Sequence, residues 1–469
     1  MNIDANTIVC YRSIMKFLIL DAYPSDDWRL VKDTAGGYGT GNDFGNSFFS
    51  KLINNFVSKM IAMPPMYAIY VYSIIKSKGH EVSYSRNIND NTKIQEADYI
   101  VMPTSIIAHE TEKKILHFLS NKNKKIFVIG IFSNVMNKEY HINNSFIVRG
   151  EPENFFLNLN YSKKEVDLYF AEGSNQRNSS NGMVSNIDEL PFPDWKDYVK
   201  QYPLKNNFIG FNSKICIPLL ASRGCPYSCF NYCTYPLQQG RKVRQRSVEN
   251  VVKEIKHWIE NLKTNKFVFR DPVFSINRKY TVSLCKEIIR ENLKIEFLIE
   301  THLKNLDDEL IILLKQPGLK LVYIGIESSD ANILKDIKRF TVNNDQQYQI
   351  INKLKKNGIY VKSMFMFANP EDSVETIKKT IQYSKFLPNQ LVQYSVFTPY
   401  PGTPVYNEFK NKITVNKFEK YNQYNLVYKH KSLNNDIIIK LKNLGYRKFY
   451  SDIRNLFVVY LSFISFFRK

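Results

Sequence analysis

Two stretches of this chain repeat one pattern, a short apolar run followed by an amphipathic segment of helical period, and few folds accommodate it. Between residues 15 and 160 the apolar runs are 16–21, 81–84, 99–102 and 125–130, with helical segments at 66–78 and 110–119. Such alternation predicts a doubly wound, Rossmann-like parallel sheet. Between 213 and 404 it returns six times, with strands expected at 217–220, 267–269, 295–299, 321–326, 361–367 and 392–397. One intervening segment places Val248, Val251, Val252, Ile255, Ile259 and Leu262 on one helical face; another carries Ile350, Ile351 and Leu354 and stops at Gly358. Six such units predict a partial (β/α)6 barrel of TIM type, whose chemistry belongs at the C-terminal ends of its strands. The expected organisation is therefore α/β: a Rossmann-like domain at 15–160, a Ser-, Asn- and Asp-rich linker at 161–212, a barrel at 213–404 and a helical C-terminal region at 405–469.

Six cysteines in 469 residues do not make a disulfide scaffold. Three of them crowd into Cys225-Pro-Tyr-Ser-Cys229-Phe-Asn-Tyr-Cys233, directly after the first expected barrel strand. Three thiolates so close suit an iron–sulfur cluster and leave one iron of a cube without a protein ligand. Structural zinc is the rival reading, but it takes four ligands, and no fourth Cys or His lies nearby. Cys10, Cys216 and Cys285 carry no such signal; Cys285 shares a helix face with Val282, Ile288 and Ile289.

The net charge of +21 comes from lysines spread through every segment. No concentrated basic stripe results, so nucleic acid is not an expected partner, while a polyanionic small molecule stays open. No secretory signal and no apolar stretch of spanning length is visible, which with the crowded thiols suggests a reducing, cytoplasmic setting. The apolar run 456–467 is expected to dock as a helix, with peripheral membrane contact as the alternative. The segment 34–45 holds five of the chain's 18 glycines and is expected to approach a ligand closely.

With Ser222-Arg-Gly-Cys-Pro-Tyr227 leading into it, the cysteine run resembles the signature loop of radical S-adenosylmethionine (SAM) enzymes. It departs from their pattern by one residue, having three rather than two residues between its last two cysteines, an insertion expected to form a bulge. Four later segments resemble the same family in the right order: Phe267-Val-Phe-Arg-Asp-Pro-Val-Phe274, Tyr323-Ile-Gly-Ile-Glu-Ser328, Phe365-Met-Phe-Ala-Asn-Pro-Glu371 and Pro399-Tyr-Pro-Gly-Thr-Pro404. So does Gly240 with Arg244-Gln-Arg-Ser-Val-Glu-Asn250. Further departures are His302, where Arg is frequent, and Ala368, where Gly is usual.

The resemblance implies a [4Fe–4S] cluster on Cys225, Cys229 and Cys233. It also implies cofactor contacts from Phe230, Tyr232, Asp271, Glu327 and Asn369, with Glu327 at the SAM ribose and Asp271 near the SAM ammonium. On physical grounds alone, Glu327 has a salt bridge to a neighbouring helix as its alternative, and Asp271 a helix cap. No further catalytic residue is assigned. A doubly wound domain before such a barrel resembles the cobalamin-binding class of the family, on Pro64-Pro-Met-Tyr-Ala-Ile-Tyr70, Gly79-His-Glu-Val82 and Gly150-Glu-Pro-Glu153. The implied activity is methyl transfer to an unactivated carbon of a small-molecule or natural-product substrate, with electrons from a donor such as flavodoxin or ferredoxin. Radical cyclisation, rearrangement or dehydrogenation without methyl transfer is the alternative. A cluster-deficient binding protein is the alternative from another class.

Overall fold

The computed structural model describes residues 14–24, 30–41, 43, 45–48, 50, 51, 54, 61–171, 182–206, 215–452 and 455. Cys10 and the apolar run 456–467 lie outside them.

The first sheet has five parallel strands: β1 (Lys16–Leu20), β2 (Glu81–Ser85), β3 (Tyr99–Pro103), β4 (Lys125–Ile129) and β5 (Ser145–Ile147). Their spatial order is β2-β1-β3-β4-β5, all pairs parallel. This is a doubly wound order whose reversal falls between β1 and β3. Residues 16–20 and 99–103 read as continuous apolar runs because helices cover both faces of a parallel sheet. On one side packs the helix Met66–Ser77, ten of whose twelve residues are buried; on the other lies His109–Asn121. The segment 161–212, expected as a linker, is packed where it is described: Trp195 is fully buried within the main core.

The second sheet has six parallel strands in sequential order: β6 (Ile217–Leu219), β7 (Lys266–Phe269), β8 (Glu296–Thr301), β9 (Leu319–Glu327), β10 (Tyr360–Phe367) and β11 (Leu391–Val396). No pairing closes β11 onto β6 among the described residues, so the barrel is partial, as the sequence predicted. Amphipathic helices, among them Val248–Leu262, Arg278–Arg290, Asn344–Lys356 and Val374–Phe386, cover the outside. Inside, Cys216, Val268, Leu298, Leu321 and Leu391 form an apolar plug at the N-terminal end. The side chains above this plug shape the cavity. The C-terminal helix Asn435–Tyr450 packs on β11, with the Tyr446 hydroxyl accepting from the Tyr394 N–H at 3.1 Å. No helix among the described residues is long and apolar enough to cross a membrane.

Candidate active site

A cavity of about 280 Å³ opens at the C-terminal ends of the six strands. Cys225, Cys229 and Cys233 all line it. The loop that carries them is drawn tight by its hydrogen bonds. Asp271, just past β7, accepts from the N–H groups of Ala221 and Ser222 and from the Ser222 hydroxyl, at 3.1, 2.5 and 2.6 Å. Gly224 sits at φ 94° against the Lys242 carbonyl, where any side chain would collide.

The extra residue between the last two cysteines is taken up as a helical turn rather than as the expected bulge. Residues Ser228–Asn231 form a 3₁₀ turn, and the Cys233 N–H donates to the Cys229 carbonyl at 2.9 Å. An i to i+4 bond sets the two side chains on one face, one turn apart. The Cys233 thiol hydrogen-bonds Cys229, which lowers the Cys229 thiol from its ordinary range, with Arg339 adding to the effect. Burial pushes Cys225 up to about 11. Among the described residues no group of three His, Cys, Asp or Glu side chains gathers closely enough for one metal ion. A cluster makes a different demand, since each thiolate ligates its own iron. Three thiols lining one cavity suit that donor set.

Other expected contacts separate into those that face the cavity and those that do not. Tyr232 lines it and lies 6.0 Å from the Phe397 ring. Glu327 also lines it, at the end of β9, where the register to β10 shifts. Its φ of 67° costs about 1–2 kcal/mol for a residue with a Cβ. Burial raises its carboxyl to about 7, against the pull of Arg339. Phe230 turns outward beneath the Arg241 guanidinium, 4.3 Å from the ring centre, and is not part of the wall. Asp271 spends both carboxylate oxygens on Ala221 and Ser222, so it braces the cysteine loop instead of facing a ligand. Asn369 is buried in the turn after β10, where its amide donates to the Met366 carbonyl and to Asp372. Ala368, where relatives usually have Gly, sits at φ 56°, the region glycine enters freely. His302 lines the cavity, but its Nε2 donates to the Phe340 carbonyl and its Nδ1 accepts from Lys304, at 2.7 and 3.2 Å.

Arg339 escaped notice in the sequence because it closes a charged stretch, Lys335-Asp-Ile-Lys-Arg339. Its guanidinium donates to the Gly325 carbonyl at 2.7 Å, lies 3.8 Å from Glu327 and reaches the Cys229 sulfur at 3.9 Å. It joins the cysteine loop to the end of β9.

The glycine segment forms the roof, and its glycines face protein, not the expected ligand. A Cβ on Gly36 would meet the Tyr235 nitrogen at 2.6 Å, and one on Gly37 the Gln238 amide at 2.7 Å. The Thr234 hydroxyl donates to the Ala35 carbonyl at 2.5 Å, and the Tyr38 hydroxyl to the Pro401 carbonyl at 2.6 Å. Thr34, Ala35 and Thr40 thereby cover the cavity from the first sheet's side. A narrower seam of about 40 Å³ separates the two sheets alongside it, lined by Met66, Tyr67, Gly130, Ile131, Arg223 and Gln238, among others. At about 40 Å³ the seam as it stands is far smaller than a cobalamin.

Known proteins share this construction. The sequence profile of the Radical SAM superfamily matches residues 219–384. An uncharacterised methyltransferase of Pyrococcus horikoshii is 28% identical over 316 residues, 65% of this chain and 67% of its own length. An anaerobic magnesium-protoporphyrin IX monomethyl ester cyclase of Rubrivivax gelatinosus is 26% identical over 325 residues, 65% of this chain and 56% of its own length. Two structures of the radical SAM methyltransferase TsrM of Kitasatospora setae share the fold. One, with cobalamin and a [4Fe–4S] cluster bound, has a TM-score of 0.59 at 14% identity over 85% of this chain and 78% of that one. The other, with tryptophan and a SAM analogue, has a TM-score of 0.63 at 13% identity over 92% and 89%. The cysteine loop, the six-stranded half-barrel and the profile match together mark residues 219–384 of this chain as a radical SAM domain.

Proposed function

We propose that the chain is a radical SAM enzyme that transfers a methyl group to a carbon of a small-molecule substrate, with cobalamin as the methyl carrier and flavodoxin or ferredoxin as electron donor. The observation that carries the proposal is the wall of Cys225, Cys229 and Cys233 on a roofed cavity at the catalytic end of the half-barrel. A [4Fe–4S] cluster there would supply the electron that splits SAM into methionine and a 5′-deoxyadenosyl radical. The chain's own residues do the rest. Arg339 fixes the end of β9 beside the cysteine loop, Glu327 offers a carboxylate to ribose hydroxyls, and Tyr232 supplies an aromatic wall. The roof of Thr34, Ala35 and Thr40 shields the cavity from solvent and from the oxygen that would trap a carbon radical. Cobalamin would sit at the seam, beside Met66 and Gly130, and the seam must widen to admit it.

A second reading, radical cyclisation, rearrangement or dehydrogenation without methyl transfer, is favoured by the narrowness of that seam. Anaerobic reconstitution with iron, sulfide and cobalamin, followed by dithionite and SAM, tests both. Bound iron with 5′-deoxyadenosine supports the radical reading, and S-adenosylhomocysteine with a corrinoid absorbance supports methyl transfer. Iron and 5′-deoxyadenosine without a corrinoid favours the second reading. Neither iron nor 5′-deoxyadenosine sinks both.

A further inference from the structure

The reaction proposed above needs an electron from outside the chain, and the cysteine loop reaches the surface at its tip. Pro226 and Ser228 are exposed, and Tyr227 between them is half-buried. Pro226 adjoins Cys225 and Ser228 adjoins Cys229. An electron entering at this tip therefore passes through one residue to reach a cysteine of the cluster site.

Three separate segments bring cations to the tip. Arg241 stacks over Phe230, 4.3 Å from the ring centre, and its Nη2 donates to the Pro226 carbonyl at 3.1 Å. Lys242 packs its backbone against Gly224, next to Cys225. The Lys304 ammonium lies 4.2 Å from the centre of the Tyr227 ring and 4.6 Å from that of Phe340. The Lys338 carbonyl accepts from the Ser228 hydroxyl at 3.0 Å. All four cations are exposed, and among the described residues none of them forms an ion pair. The acids that follow Lys304 are taken elsewhere: Asp307 and Glu309 pair with Arg278, and Asp308 with Lys353. Beside Lys304, Phe340 is 63% exposed. An aromatic side chain left in water among unpaired cations is the composition of a binding face rather than of ordinary surface. The sequence shows no basic stripe here because its members lie at 241–242, 304 and 338.

We propose that this tip is the docking face for the electron donor, and that the donor is a small acidic electron-carrier protein. The inference rests on the radical SAM reading and names where its partner binds. The carrier's acidic surface meets Arg241, Lys242, Lys304 and Lys338, and Phe340 is covered on contact. One electron then leaves the carrier, which is oxidised, and enters the cluster held by Cys225, Cys229 and Cys233, which is reduced; no bond forms or breaks. Complementary rim charges speed encounter more than they tighten a complex, and salt screens them. That suits a carrier that must leave after each delivery.

The test has two readouts. Fluorescence anisotropy of a labelled flavodoxin, and of a labelled ferredoxin, measures binding to the full chain without its cluster. Release of 5′-deoxyadenosine by the reconstituted chain is measured with each photoreduced carrier and, separately, with dithionite, a small reductant that needs no docking face. With Arg241→Glu, Lys304→Glu and Lys338→Glu combined, carrier binding and carrier-driven release are expected to fall at least about tenfold, and dithionite-driven release to stay within about twofold. Lys378→Glu, Lys379→Glu and Lys385→Glu combined make the same charge change on the outer helix Val374–Phe386 and are expected to leave both readouts intact. Thermal melting checks folding, and should the rim reversal not fold, the three rim residues changed to Gln replace it, with the same loss expected in direction. Binding equal in the folded rim variant and the unaltered chain, or weakened as much by the outer-helix changes, overturns the inference. So does failure of both carriers to bind a chain that releases 5′-deoxyadenosine with dithionite, which leaves the radical reading standing. Rim-dependent binding to a chain that releases none with dithionite supports the docking face and counts against the radical reading. Neither binding nor release sinks both.

Discussion

The two parallel sheets of this molecule each bury a lysine, Lys32 beyond the strand ends of the first and Lys362 inside the second, and they use it in different ways. In the first sheet, Lys32 stands at the strand-order switch between β1 and β3, where ligands of such sheets usually bind. Its ammonium lies 3.0 Å from Asp21 and 2.9 Å from Glu112, and donates to the Pro103 carbonyl at 3.1 Å. Burial works against its charge, and Glu112 and Asp21 outweigh that cost. Glu112 is held in turn by Ser105 and by Tyr140, and Asp21 by Tyr84. Every group in the triad is answered from within the chain. In the half-barrel, Lys362 faces a cavity, and burial pulls it down to about 8 despite Glu300. The first sheet's charges hold one another; the second sheet's lysine lies over the Tyr323 ring in the wall of a cavity.

The sharpest way to break this contrast is at the cysteines. Cys229→Ser is expected to abolish iron binding and 5′-deoxyadenosine release while leaving the first sheet intact, checked by iron assay and chromatography of the reaction. Next in size, Lys32→Met strands two buried carboxylates and is expected to cost about 3–5 kcal/mol in denaturant unfolding. Lys362→Met, which removes a desolvated charge from the barrel, is expected to change stability by less than about 1 kcal/mol. Equal losses in both variants would erase the distinction. Gly36→Ala forces a Cβ to φ 55° and into the Tyr235 backbone. It is expected to cost about 1–2 kcal/mol for the backbone alone and to admit solvent to the cavity, seen as faster oxidative bleaching of the reconstituted cluster.

The smallest effect concerns Asp271, whose carboxyl burial raises to about 6. A carboxyl raised on folding favours the folded state most at low pH, and that advantage fades as pH climbs toward the folded value. The melting temperature is therefore expected to fall between about pH 4 and 6, and Asp271→Asn to flatten that slope, as scanning calorimetry would record.

Much of this architecture is legible in the sequence, because parallel strands covered on both faces must read as apolar runs. Residues 99–103 and 125–129 announce themselves that way, as do β9 and β10 through their alternation. What escapes is whatever depends on partners distant in sequence. Lys32 reads as one more surface lysine, since its carboxylates come from residues 21 and 112. Arg339 is hidden among lysines, and its meaning appears only when the chain brings it to Cys229. Asp271 and Asn369 have the right residue types and strand ends, yet local hydrogen bonds claim both carboxylate oxygens of Asp271 and the amide nitrogen of Asn369. The glycines at 36 and 37 signal close approach correctly; the sequence does not say that what approaches is the chain itself.

That close approach sets an order of events during maturation. The strap from Thr34 to Tyr38 is synthesised long before the cysteines, and once docked it touches the backbone immediately after Cys233. Were a cluster delivered preformed from the side the strap covers, delivery would have to precede docking or displace the strap, which would then close over the loaded cysteines.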